Sequence, residues 1–316
     1  MEMIARERRR FFERPAEPRP LRITARDLAL LGNLARFRLA SSAQLAMLDG
    51  GSEQNVSRAL LALWENRYVE RPEVQVASRL LHKGSRPTIY GLTRKGARLL
   101  RDQGLDVRRR LVDGIDKERG AGWRFVEHTV AIAGFFVALE TAAKGRGDLR
   151  ILERVEILEE AQKTKRERQV HLEASIRLGG VLKRNAVIPD AFFGLHTGSH
   201  EARYFMLEID RGEMPVERYK NLNGTYFAKK MLTYYEANRQ QRHVHDLGIG
   251  NFRVLTVTTT AQRIERMVAA LKGVTDGKGS SMFLFTDEAT LAVKNPLDVE
   301  WLSGKGELVG LTDSVP

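Results

Sequence analysis

Residues 187–195, which read VIPDAFFGL, and residues 204–210, which read YFMLEID, decide the fold that we predict for this chain. Both runs are apolar, and the Gly and Ser residues between them are typical of a connecting turn. The pattern predicts two antiparallel strands joined by a hairpin centred near Ser199. In that register Asp190 lies nine residues before the centre and Glu208 lies nine residues after it, so the two carboxylates face each other.

A third carboxylate belongs to the same face. Asp210 follows Glu208 by two positions, so it projects from the same side of the strand. Converging carboxylates repel one another unless they are protonated or bridged by a cation, and oxygen ligands suit Mg²⁺ or Mn²⁺. The sequence therefore predicts a metal site of Asp190, Glu208 and Asp210, with no other cofactor. An ion-pair network stays open as the alternative, with nearby cations as partners: Arg203, Arg211, Arg218 and Lys220.

Elements on both sides of this strand pair complete an α/β domain with a central mixed sheet over residues 123–290. We predict a helix over 123–143, strands over 151–158 and 170–178, a helix over 216–238, a strand over 252–258, a helix over 261–272 and a strand over 282–285. The order helix, strand, strand, strand, helix, strand, with Pro-Asp on one strand and Glu-x-Asp on the next, resembles the PD-(D/E)xK nuclease-like superfamily. That resemblance implies that Asp190 and Glu208 are catalytic, and Asp210 joins them as a catalytic candidate through the predicted metal site. Asp210 stands where such nucleases have a lysine, and Lys220 is the candidate that supplies the ammonium group instead.

The region 21–105 has a different pattern, of short helices followed by strands. Thr24 with Asp27, and Ser41 with Gln44, are capping signatures before the first two helices, and Ser52 precedes the third. Strand-like segments over 68–76 and 88–92 enclose a basic tip, and a fourth helix follows. This order predicts a winged helix-turn-helix, which in its DNA-binding form places the third helix in the major groove and the wing at the backbone.

The side chains on the predicted outer face of the third helix suit base recognition. Asn and Gln pair with adenine, Arg pairs with guanine, and Ser serves either. The candidate base-reading residues are Gln54, Asn55, Ser57 and Arg58. Cations of the wing would bind phosphates and add salt dependence: Arg79, Lys83 and Arg86. A merely solvated polar face is the alternative.

Charge and composition agree with this division of the chain. Residues 1–120 carry 25 Lys and Arg against 15 Asp and Glu, whereas the remaining residues carry 27 against 25. A basic segment of this kind favours a polyanion as partner, here double-stranded DNA. The chain has no Cys, which excludes disulfide scaffolds, thiol nucleophiles and cysteine-ligated metal centres. We find no apolar run of membrane-spanning length and no secretory signal at the N-terminus, so we expect a cytoplasmic protein without a membrane partner.

The remaining segments complete the predicted domain organisation. Residues 1–20 are expected to form a basic disordered arm, residues 106–122 a linker, and residues 291–316 a C-terminal tail. Over roughly residues 24–285 the chain resembles the bacterial replication-relaxation family, found with plasmids and other mobile elements. The runs that carry the resemblance are TARDLALL at 24–31, IYGLTRKGA at 89–97, Glu127-His128, Pro189-Asp190-Ala191 and FMLEIDRG at 205–212. The resemblance implies a role in plasmid replication control or relaxation.

Three functions remain open at this point. The leading one is a DNA-binding protein of plasmid or mobile-element replication or maintenance, with a nuclease-like second domain. The second is a Mg²⁺-dependent DNA endonuclease that uses the three carboxylates and Lys220. The third is a transcriptional regulator whose second domain senses a ligand or dimerises. The sequence also leaves open a homodimer and binding to other replication or mobilisation proteins.

Overall fold

The computed structural model describes residues 12–75, 87–105, 107, 122–161, 170–198, 202–217 and 226–313. Most of the predicted linker and the predicted wing tip lie outside these residues, as do residues 1–11. Contacts divide the chain into two compact units, Met1–Val137 and Ala138–Pro316. The boundary that we predicted falls earlier, within residues 106–122.

The first unit combines helices with a small sheet. Its elements are α1 (Ala25–Phe37), β1 (Leu39–Ser41), α2 (Ser42–Asp49), α3 (Glu53–Glu65), β2 (Val69–Glu70), β3 (Ile89–Leu92), α4 (Arg94–Asp102) and the first part of α5 (Trp123–Ala143). The three strands pair antiparallel in the order β1-β3-β2. β2 is shorter than the strand that we predicted over residues 68–76.

Local side-chain hydrogen bonds explain where the first helices begin. Thr24 and Asp27 each bond to the other's backbone N–H at the start of α1, and Ser41 and Gln44 do the same at the start of α2. These capping boxes satisfy N–H groups that a helix cannot satisfy internally. Both were predicted from the sequence. Ser52 is the residue before α3, as predicted, but its side chain makes no cap bond there.

The apolar faces of these helices enclose one core. Leu60 and Trp64 of α3 are among its buried members. Arg14 donates hydrogen bonds to the carbonyl oxygens of Trp64 (2.6 Å) and Val69 (3.3 Å) and pairs with Glu70. This part of the segment 1–20, which we expected to be disordered, is therefore attached to the unit.

Helix α5 is apolar over much of its length. Val126 and Ala133 are buried beside Leu39 and Phe37 of the first unit. Most of α5 therefore belongs to the first unit and not to a domain that begins at residue 123. Of the helices that the structure describes, α5 is the one that is long and apolar enough to cross a membrane. The core helix of a soluble protein can have the same length and composition.

The second unit is built around a large sheet. Its elements are β4 (Leu149–Glu153), α6 (Arg154–Glu160), β5 (Leu172–Leu178), β6 (Val181–Val187), β7 (Ala191–Thr197), β8 (Arg203–Ile209), α7 (Phe227–Arg239), a π-helical turn (His243–Leu247), β9 (Arg253–Thr258), α8 (Ala261–Val274), β10 (Phe283–Asp287), α9 (Glu288–Val293), β11 (Trp301–Ser303) and β12 (Leu308–Val309). Seven strands form one sheet in the order β12-β11-β10-β9-β8-β7-β4, and β5 and β6 form a separate pair.

The large sheet is mixed, as predicted. β4, β7 and β8 pair antiparallel, whereas β8, β9 and β10 run parallel. Helices α7 and α8 provide the connections between the parallel strands. One core contains Phe192 and Met206 from the sheet together with Met231 of α7 and Met267 of α8. These two helices therefore cover the sheet face from which residues 190, 192, 206 and 208 project.

In the second unit, the largest departures from the predicted bounds concern three segments. The strand predicted over 187–195 is divided between β6 and β7, because Pro189 has no N–H to donate to a strand ladder. The strand predicted over 151–158 ends at Glu153, where α6 begins. Helix α7 begins at Phe227 and not at residue 216.

The C-terminal segment, which we predicted to be a tail, contains two strands of the large sheet. β11 pairs with β10, and β12 pairs with β11, so both extend the large sheet. Trp301 is fully buried and donates its indole N–H to the carbonyl oxygen of Pro296 at 3.1 Å. These strands have three and two residues, which is too short for an alternating pattern to appear in the sequence.

Candidate functional site

Helix α3 presents the polar side chains that we predicted to read DNA bases. Its buried side is apolar and packs into the core of the first unit. Arg58 Nη1 donates to Asn55 Oδ1 at 3.2 Å, so these two side chains are held together at the surface. We call the following residues the α3 polar face: Gln54, Asn55 and Arg58, which are exposed, and Ser57, which is half-buried.

Several predicted site residues lie outside the described part of the chain. They are the wing cations Arg79, Lys83 and Arg86, and the candidate ammonium donor Lys220. Their roles remain predictions.

β7 and β8 bring two of the predicted carboxylates together. Ala191 lies opposite Leu207 in the ladder, so the next pair outward is Asp190 and Glu208. Asp190 Oδ2 accepts the backbone N–H of Ile209 at 2.8 Å, which fixes the side chain at the end of β8. This is the opposition that the hairpin register predicted, although residues 199–201 of the turn are not described. We call Asp190, Glu208 and Asp210 the carboxylate cluster.

Helix α7 covers Glu208, which is only 2% exposed. The Nζ of Lys230 contacts Glu208 Oε2, and the hydroxyl of Tyr234 donates to Glu208 Oε1 at 2.6 Å. Lys230 and Tyr234 are four positions apart, so they lie on one face of the helix. Each oxygen of this buried carboxylate therefore has a donor from the same turn of α7.

Asp210 is held by a different helix. The hydroxyl of Thr258 donates to Asp210 Oδ2 at 2.6 Å, and the guanidinium of Arg263 in α8 binds both carboxylate oxygens. Arg263 also donates to the carbonyl oxygen of Met214. Asp210 thus takes part in an ion pair of the kind that we kept as the alternative, but its partner is Arg263 and not a neighbour in the sequence.

Burial and charge perturb the ionisation of this site. Burial raises the pKa of Glu208 to about 7, against the attraction of Lys230 and with a further contribution from the charge of Asp190. Burial lowers the pKa of Lys230, but the charges of Glu208, Asp190 and Asp210 outweigh it, so the pKa of Lys230 is raised. A carboxyl group that titrates near neutral pH beside a stable ammonium group is a frequent feature of functional sites.

The arrangement does not fit a divalent metal ion held by the three carboxylates. Both oxygens of Glu208 and both oxygens of Asp210 accept hydrogen bonds from protein donors, including a lysine and an arginine. An ion would have to displace these cations. Within the described ranges, no group of three or more His, Asp or Glu side chains is placed to hold a metal.

Four residues of the site were not identified from the sequence: Lys230, Tyr234, Thr258 and Arg263. The first two carried a usable signal, because a lysine and a tyrosine at helical spacing lie on one face of the predicted helix. We considered Lys220 in this position and assigned no role to Lys230. Arg263 gave no such signal, since it lies 53 residues from Asp210 along the chain.

Comparison with protein families identifies a match over most of the chain. The model of a family described as replication-relaxation matches residues 31–262. The match covers both α3 and the carboxylate cluster. No curated protein and no solved structure matches the chain.

Proposed function

This chain belongs to the replication-relaxation family, and from that premise we propose that it binds duplex DNA through helix α3 during the replication or maintenance of a plasmid or other mobile element. The observation that carries the proposal is the α3 polar face, in which Asn55 and Arg58 are exposed together on a helix whose other side is buried. Asn and Arg are the side chains that bind adenine and guanine through two hydrogen bonds.

The architecture of the first unit supports the same proposal. The order α1-β1-α2-α3-β2-β3-α4 and the sheet order β1-β3-β2 support the winged helix-turn-helix that the sequence predicts. In that fold the third helix enters the major groove and the segment between the last two strands contacts the backbone. The excess of basic residues in the first 120 positions supplies the attraction for phosphate that such binding needs. A cytoplasmic location forms part of the proposal.

Substitution on the α3 polar face tests this proposal. A duplex enriched from random sequences by the full chain is labelled, and its affinity is measured by fluorescence anisotropy. A bidentate base contact contributes about 1–3 kcal/mol to discrimination between bases, so Arg58→Ala is expected to lower specific affinity by about 5- to 150-fold. Affinity for unrelated duplexes should change much less.

A matched control separates base recognition from loss of charge. Arg239 is also an exposed helix arginine with a neighbour three positions away, Glu236. Arg239→Ala should bind the enriched duplex as the unaltered protein does. Equal affinities for Arg58→Ala and the unaltered protein would contradict the assignment of α3, and failure to enrich any duplex would contradict DNA binding.

DNA cleavage is a second candidate, favoured by one observation, the position of Asp190 opposite Glu208. When α6 and the separate β5–β6 pair are set aside, the elements α5, β4, β7, β8, α7 and β9 follow the helix-strand-strand-strand-helix-strand order by which the sequence resembles the PD-(D/E)xK nuclease-like superfamily. Lys230 supports this candidate as a lysine beside the glutamate. The engaged oxygens of Glu208 and Asp210 weigh against it.

Supercoiled plasmid incubated with the protein in Mg²⁺ or Mn²⁺ distinguishes binding from cleavage. Because both carboxylates are occupied by protein cations, we expect a shifted band and intact DNA. Metal-dependent nicking that an Asp190→Ala/Glu208→Ala variant loses would instead identify an endonuclease.

A further inference from the structure

The β5–β6 hairpin is a two-stranded ribbon. Its pairing runs from Leu172 opposite Val187 to Leu178 opposite Val181, which leaves Gly179 and Gly180 as a two-residue turn. Both glycines have positive φ, 55° and 81°, as a type I′ turn requires. A Cβ atom at Gly180 would have nothing within 4 Å, so the turn projects into open space.

The base of the ribbon is fixed to α7. Alternate residues of β5 are buried in the core of the second unit. Asn185 Nδ2 donates to Thr233 Oγ1 at 2.8 Å, and the Gln240 side chain exchanges two hydrogen bonds with the backbone of Ser175. The hairpin therefore has an anchored base and an exposed end.

The exposed end combines apolar and basic side chains. Val181 is 55% exposed and Leu182 is 63% exposed, although neither contributes to the core. The exposed cations of the hairpin are Arg177, Lys183 and Arg184. Glu173, which pairs with Arg184, is the one acidic residue in the two strands. A basic ribbon with an apolar tip is complementary to a polyanion that also offers apolar surface.

We propose that this hairpin enters the minor groove of duplex DNA, with Leu182 as an apolar wedge against a base step and the three cations beside the phosphates. Two-stranded ribbons are used as DNA-contacting elements, and apolar wedges flanked by cations unstack base steps and bend the duplex. The inference rests on the proposed function, because the chain must bind duplex DNA. It extends that function to a second contact surface, in a unit that contains no part of α3.

The phosphate contacts are tested by the salt dependence of affinity in the full chain. Each phosphate contact contributes about 0.9 to the slope of log affinity against log salt, so Lys183→Ala/Arg184→Ala should reduce the slope by about 2. Arg150→Ala is the matched control, since Arg150 is also an exposed strand arginine that pairs with a glutamate, Glu156. The control should leave the slope unchanged.

The wedge is tested by DNA bending. Energy transfer between dyes at the two ends of a bound duplex should report a bend with the unaltered protein and a smaller bend with Leu182→Ser. The salt dependence of DNA affinity should be the same for both proteins. Val293→Ser, at an exposed apolar position in α9, should bend DNA as the unaltered protein does. Thermal unfolding should be the same for all variants, because these side chains are exposed.

The outcomes separate this inference from the function on which it rests. The hairpin contact alone would be overturned if the hairpin variants kept the salt dependence of DNA affinity and the bend of the bound duplex, while Arg58→Ala bound its specific duplex more weakly. Absence of DNA binding by the unaltered protein would overturn both. A third outcome would identify an anionic membrane as the partner of the hairpin in place of DNA. Phosphatidylserine vesicles would then bind the unaltered protein but not Lys183→Ala/Arg184→Ala, and the salt dependence of DNA affinity would be the same for both proteins.

Discussion

Glu208 is a buried carboxyl group with a lysine on one oxygen and a tyrosine hydroxyl on the other. Asp190 lies opposite it on the neighbouring strand, and its negative charge favours protonation of Glu208. The cost of burying a charge and the gain from pairing it with Lys230 therefore oppose each other at this residue. The balance places its ionisation in the neutral range.

The perturbed pKa of Glu208 makes stability depend on pH. The pKa rises from its usual 4.5 to about 7 on folding, so the folded protein binds more protons than the unfolded chain between these values. The contribution of Glu208 to the free energy of unfolding should fall by about 3 kcal/mol as the pH rises through this window. Glu208→Gln has no carboxyl group at this position, so its free energy of unfolding should lack this dependence on pH. Urea unfolding from pH 4 to 8 should show the two proteins diverging, and parallel profiles would contradict the account.

The Asp210–Arg263 pair gives a prediction of its own. Removing the arginine leaves a buried carboxylate without its cation, so Arg263→Met should cost about 3–5 kcal/mol of the free energy of unfolding. Adding Asp210→Asn removes the unpaired charge and should restore part of that loss. Chemical denaturation of the single and double variants measures both effects. A single variant as stable as the unaltered protein would show that the pair carries no net stabilisation.

The three carboxylates were not equally predictable. The position of Asp190 opposite Glu208 followed from the strand register, because a hairpin fixes which residues face each other. The partners of these carboxylates did not follow, since Lys230, Tyr234 and Arg263 reach them only after α7 and α8 have packed on the sheet. The helical spacing places Lys230 and Tyr234 on one face of a helix, but it does not show which carboxylate that face meets.

Helices and strands show the same division between local and distant causes. The starts of α1 and α2 were predictable because the capping residues are neighbours in the sequence. The short strands β11 and β12 were not, because their formation depends on pairing with β10. The hairpin β5–β6 was only partly predictable. We predicted its first strand, but we did not predict its second strand, because most of its residues are exposed and show no alternating pattern.

Helix α4 approaches the preceding backbone closely at Gly96. A Cβ atom on Gly96 would come within 2.4 Å of the carbonyl oxygen of Tyr68. Overpacking of this kind costs about 1–3 kcal/mol, so Gly96→Ala should destabilise the first unit by that amount. Gly32, in helix α1, has nothing within 4 Å of its Cβ position. Gly32→Ala should therefore stabilise by about 0.5–1 kcal/mol. Thermal unfolding measures both changes, and the account requires them to have opposite signs.

Across the chain, the basic residues are unevenly distributed between the two compact units. The basic excess lies in the first 120 residues, together with α3, whereas the later residues are close to neutral and contain the carboxylate cluster. Chain length and charge led us to expect two domains. The position of the boundary was not predictable, because α5 reads as an apolar helix in either unit and only its contacts with Leu39 and Phe37 assign its first part.

Hydrogen exchange of the full chain with and without its enriched duplex tests most directly whether α3 is the DNA-binding element. Amides of residues 53–65 should exchange more slowly in the complex, because the helix is covered by the major groove. Those of β4 at the edge of the large sheet should be unchanged. Protection confined to the second unit, with α3 exchanging as in the free protein, would contradict the account.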